Sequence, residues 1–112
     1  MRIEERDGAL DSFLQMIREQ LGDHLRQIIL FGSRSRGDDE PDSDYDCLAI
    51  LDEVSPRIKE SIDEVVGEIL YQHSAVFSVV PVSEEKYRRQ KYNPLLMNVR
   101  REGITLWTST KR

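Results

Sequence analysis

A chain of 112 residues with 38% apolar side chains has material for one hydrophobic core and not for two, so a single domain over residues 1–112 is expected. Its formal net charge of −5 argues against a domain whose main business is gripping nucleic acid by its phosphates, and the lone Cys47 rules out an internal disulfide. No apolar run is long enough to cross a bilayer, and the opening residues MRIEERDGAL are too charged for a secretory signal, so a soluble cytoplasmic protein is expected.

The average charge hides a split. Residues 34–68 hold 12 acidic and 4 basic side chains, whereas residues 84–112 hold 3 acidic and 8 basic. Such a split is either a solvated surface or an acidic metal-binding centre beside a basic strip that meets phosphates or a partner.

Along the chain, Leu10, Phe13, Leu14, Ile17 and Leu21 recur at spacings of three and four, the stripe of an amphipathic helix that Gly22 can end. Ile28, Ile29, Leu30 and Phe31 form a short, β-branched apolar run, read as a buried strand that begins near Leu25 and delivers Gly32-Ser33 at its end. Residues 34–43 are polar, with Gly37 and Pro41 as breakers, and read as a loop in which residues 33–36 can make a short helical turn.

Residues 45–51 (YDCLAIL) make the next strand, with Cys47 as a small buried side chain. Asp44 stands at its start and Asp46 two residues on, so a strand places both carboxylates on one face. Ser55-Pro56 is a cap and first-turn pair for a second helix, whose apolar face is Ile58, Ile62, Val65, Val66 and Ile69. Residues 75–82 read as a third strand, Ser83 opens a short helix, Asn93-Pro94 caps another running to Gly103, and residues 104–107 close as an extended piece. Interleaved helices and strands predict an α/β (α+β) fold, with a small mixed sheet flanked by helices.

Three chemistries compete for GSRSRGDDEPDSDYD. Gly32 and Gly37 have the spacing of a P-loop, but Asp38 and Asp39 stand where Lys and Ser/Thr belong, and a carboxylate there repels phosphate. Asp42, Asp44, Asp46 and Glu53 approach the calcium-loop pattern of an EF-hand, but Cys47 occupies the glycine position and an apolar strand follows. The third reading accounts for every part: a glycine that lets backbone approach a triphosphate, a serine offering a hydroxyl and free N–H groups, and paired carboxylates for divalent metal. Two Mg²⁺ ions suit it, held by Asp44 and Asp46, because attacking and departing oxygens both need charge compensation.

Gly32-Ser33, ten residues, then Asp44-x-Asp46 resembles the hallmark of the minimal nucleotidyltransferases of the DNA polymerase beta superfamily, and Arg36-Gly37 and Ser43 fit as well. The order of helices and strands extends the likeness over most of the chain. The resemblance implies transfer of AMP from ATP to a hydroxyl, with Gly32 and Ser33 on the phosphates and Asp44 and Asp46 on metal. Arg36 then either neutralises the triphosphate or pairs with a nearby Asp. Fuller members carry a third carboxylate on the next strand that accepts the proton of the attacking hydroxyl. Ser78 stands at about that place here, and no Asp follows Asp63. Glu84 and Glu85 reach the site only if the strand end bends back.

Stand-alone minimal nucleotidyltransferases are typically antitoxins that silence an HEPN-domain RNase toxin by AMP transfer to a tyrosine, so the resemblance implies an HEPN partner. The alternative is a binding module that neutralises the toxin by contact, and a third reading is a dimeric enzyme modifying a small molecule between subunits. His24 and His73 have no zinc-ligand spacing to another ligand and read as surface or structural histidines. Lys86, Arg88, Arg89 and Lys91, interleaved with Tyr87 and Tyr92, are either a solvated helix face or a partner contact. Trp107 is expected over an edge of the core, while Leu95, Leu96 and Val99 suit either core or a dimer surface.

Overall fold

The computed structural model describes residues 8–32 and 44–110. Eight motif positions named above, Ser33, Arg36, Gly37, Asp38, Asp39, Pro41, Asp42 and Ser43, lie outside the described residues. Helix α1 (Gly8–Leu21) ends where Gly22 takes a φ of 55°, and a short 3-10 turn leads into β1 (Leu25–Phe31). Strand β2 (Tyr45–Leu51) follows, then helix α2 (Pro56–His73) and strand β3 (Phe77–Ser83). Helices α3 (Glu84–Arg89) and α4 (Pro94–Glu102) precede β4 (Ile104–Thr108).

The caps foreseen from sequence work as expected. Ser55 Oγ accepts the Ile58 N–H at 3.2 Å, Ser83 Oγ accepts that of Lys86 at 3.1 Å, and Asn93 Oδ1 accepts those of Leu95 and Leu96 at 3.0 and 3.2 Å. The third strand starts two residues later than its apolar run suggests. Ser74 closes α2 in the left-handed conformation, its N–H on Leu70 O, and residues 75 and 76 are spent turning the chain onto the sheet.

The sheet order is β3-β2-β1-β4. β1 runs antiparallel to β2 and β4, whereas β2 and β3 are parallel, with α2 as the crossover. One face carries Leu25, Ile28, Leu30, Tyr45, Cys47, Ala49, Leu51 and Phe77 against α1 and α2. Phe77 sits between Phe13 and Tyr45, with ring centroids 4.3 and 4.4 Å away. The other face carries Ile29, Leu48, Ile50 and Val82, packed on Leu96 and Val99 of α4.

Leu96 and Val99 are therefore core, with Leu95 packed at its margin. Trp107 lies half-buried against the α1 side, with the Arg18 guanidinium 5.2 Å from its ring centre. Cys47 is fully buried, as its neighbours suggested, and burial pushes its thiol pKa up, with the Asp46 charge adding to the shift. No helix among the described residues is long and apolar enough to cross a membrane.

Candidate active site

The end of β1 and the starts of β2 and β3 come together at one end of the sheet, because β1 opposes β2 while β3 runs beside it. Asp46 is half-buried there, opposite Phe31 on one side and Ser78 on the other. Its face is that of Leu48 and Ile50, the α4 face, since strand side chains alternate. Asp44, exposed, precedes the strand by one residue and shares that face by the same period of two.

Gly32 closes the site from below with a φ of 77°, a left-handed conformation that costs a side-chain-bearing residue about 1–2 kcal/mol. It has a second constraint. A Cβ built on it would stand 2.7 Å from Asp46 Oδ2, so only glycine lets the carboxylate lie against this backbone. The motif alone explains this glycine by triphosphate approach; the structure adds the carboxylate clearance, which no sequence signal announces.

Burial raises the Asp46 pKa above the ordinary carboxylate range, and the negative charge of Asp44 raises it further. The donor set suits a hard divalent cation: two carboxylates, one crowded by the other's charge, in a cradle that a Cβ on Gly32 would fill. Among the described residues no third Asp, Glu, His or Cys joins them as a metal cluster.

Ser78 is the direct parallel partner of Asp46 and is exposed, so a hydroxyl and not a carboxylate stands beside Asp46 on β3. Glu84 lies at the opposite end of the strands, 3.6 Å from Arg26, and Glu85 pairs with Arg89 at 2.7 Å. The histidines are structural: His24 pairs with Asp52 at 3.0 Å and His73 meets Ser12 Oγ at 3.1 Å. In the basic strip, Tyr87 is half-buried under the Arg100 guanidinium, 4.4 Å from its ring centre, while Lys86, Arg88 and Lys91 are exposed.

One strand of the mixed sheet thus ends in a positive-φ glycine that lies against a carboxylate pair at the start of the next. The sequence model of the nucleotidyltransferase domain matches residues 10–103, and the chain belongs to that family. It is 32% identical over 96 residues to "Putative protein adenylyltransferase MJ1305" of Methanocaldococcus jannaschii, covering 83% of this chain and 65% of that one. The chain thus spans about 65% of the length of this relative.

Solved structures share the fold, two toxin–antitoxin complexes among them. One, described as a toxin–antitoxin with AMP-PNP, superposes with a TM-score of 0.66 at 20% identity, over 89% of this chain and 73% of that one. The other holds a tri-AMPylated Shewanella oneidensis HEPN toxin in complex with an MNT antitoxin; there the TM-score is 0.60 at 17% identity, over 90% of this chain and 71% of that one.

Proposed function

We propose that this chain transfers AMP from ATP to a hydroxyl of a partner protein, and that the partner is an HEPN-domain toxin modified on tyrosine. The observation that carries the reading is the Asp46 carboxylate laid against Gly32 and crowded by Asp44, its pKa raised by burial and by that neighbouring charge. Likeness to a protein adenylyltransferase supports AMP as the transferred group, and likeness in fold to antitoxin complexes supports the partner.

Asp44 and Asp46 would hold Mg²⁺, which when bound supplies charge compensation to the attacking and departing oxygens. Gly32 contributes an approach for the triphosphate free of any side chain, and Ser33 and Arg36 are assigned to its phosphate oxygens. In the transfer, a bond forms between the acceptor oxygen and the α-phosphorus, the bond to the β-phosphate oxygen breaks, and pyrophosphate leaves. The hydroxyl proton passes to solvent, and the residues named here contribute positioning and electrostatics.

Ser78 also favours a second reading, in which the same fold silences its partner by contact alone. Incubating the purified chain with the product of the adjoining gene, Mg²⁺ and ATP labelled in the α-phosphate separates the two. Label on the partner that disappears in the Asp44→Asn, Asp46→Asn variant supports transfer; inhibition of the partner without label refutes it.

A further inference from the structure

We propose that the outer edge of β3 is the acceptor's docking site: an extended polypeptide segment pairs its backbone with Phe77 and Val79 and lays a tyrosine across Ser78 toward Asp46. The proposal rests on the reading of this chain as a protein adenylyltransferase.

β3 ends the sheet, and no described strand lies beyond it. An edge strand leaves a row of N–H and C=O groups unpaired, a template for an added strand. Which residues face outward follows from one hydrogen bond. The Tyr45 N–H donates to Val76 O at 2.9 Å, so Val76 directs its polar groups to β2. In a parallel strand each residue turns its N–H and C=O to one side and the next residue turns them to the other. Ser78, Val80 and Val82 therefore face β2, while Phe77, Val79, Pro81 and Ser83 face out.

Pro81 agrees independently, because a proline in a sheet is tolerated where the missing N–H would point away from the ladder. It also limits the edge. Phe77 and Val79 can donate to an added strand, and Pro81 then interrupts the row, so pairing is confined to the end of β3 beside Asp46.

Among the described residues, the one between that edge and Asp46 on this face is Ser78. Ser78 shares the Asp46 face, is its register partner, and is small and exposed. With strands about 4.8 Å apart, an added strand lies roughly 10 Å from β2, a gap that a tyrosine side chain largely spans and a serine or threonine does not. A carboxylate or a large apolar side chain at position 78 would stand in this path. The phenol oxygen forms the bond to the α-phosphorus, pyrophosphate departs, and the phenol proton passes to solvent.

The test reads amide hydrogen exchange of the full chain, alone and saturated with the adjoining-gene product. Exchange at Phe77 and Val79 is expected to slow by ~10-fold or more on complex formation, while Ser78 and Val80, already paired with β2, change little. Unchanged exchange at Phe77 and Val79 overturns the proposal, whether or not AMP is transferred. Val79→Pro, which leaves the ladder to β2 intact, is expected to cut label transfer to the partner by about 10-fold or more with ATP affinity unchanged. Ser78→Leu keeps the amide protection and loses transfer. Equal transfer in wild type and Val79→Pro refutes edge docking but leaves adenylyl transfer standing; no transfer in wild type strikes adenylyl transfer, and amide exchange then decides the edge.

Discussion

The two faces of the sheet differ in how much of their length a helix covers. On the α1 and α2 side, helices of 14 and 18 residues lie over a face that is apolar from end to end. On the other side α4 has nine residues, a rod of about 14 Å, against seven-residue strands of about 23 Å. Asp46 and Ser78 stand at the strand end beyond the apolar residues that α4 packs on. The comparison teaches that, among the described residues, the site occupies the part of the second face that α4 does not cover.

Breaking the covered face should have the largest effect on stability and none specific to the site. Phe13 is fully buried and stacked on Phe77, so Phe13→Ala is expected to cost about 3–5 kcal/mol in urea unfolding. On the bare end the largest loss is in chemistry. Asp44→Asn with Asp46→Asn is expected to lower AMP transfer by roughly 10³-fold or more, with the far-ultraviolet circular dichroism spectrum retained.

A pair of glycines sharpens the comparison. Gly22 and Gly32 both hold positive φ, but a Cβ at Gly22 meets nothing within 4 Å, whereas one at Gly32 meets the Asp46 carboxylate. Gly22→Ala should lose only the left-handed cost of about 1–2 kcal/mol and keep its transfer rate. Gly32→Ala should lose at least as much stability and also most of its transfer, measured by the same labelling assay.

The smallest effect has the opposite sign. With the Asp46 pKa raised in the fold, the unfolded chain ionises first as pH rises, so ionisation of this residue favours unfolding. The penalty is absent where the carboxyl is protonated in both states and complete above the folded pKa. Asp46→Asn in the presence of chelator should therefore raise the thermal midpoint slightly at neutral pH, with the gain vanishing as pH falls below about 4. A midpoint that falls at neutral pH would show that Asp46 is held for stability and not for its chemistry.

Much of the fold was legible because it is local. The three-and-four spacing from Leu10 to Leu21 names the buried stripe of α1, and Ser55-Pro56 and Asn93-Pro94 mark helix starts whose caps form as expected. The shared face of Asp44 and Asp46 follows from the period of a strand. The start of β3 was misplaced by two residues because apolar content cannot distinguish a paired strand from the turn that feeds it.

The sequence by itself determined the elements, their buried faces and the pairing of the two carboxylates, since each depends on dihedral periodicity and on residues a few positions apart. Only the tertiary structure decided that β2 and β3 run parallel, with Ser78 beside Asp46, that Gly32 makes room for that carboxylate, and that Glu84 is drawn to Arg26 at the far end of the strands. These are contacts between distant segments, set by strand order and by which face each helix finds to bury. No spacing within one segment encodes them.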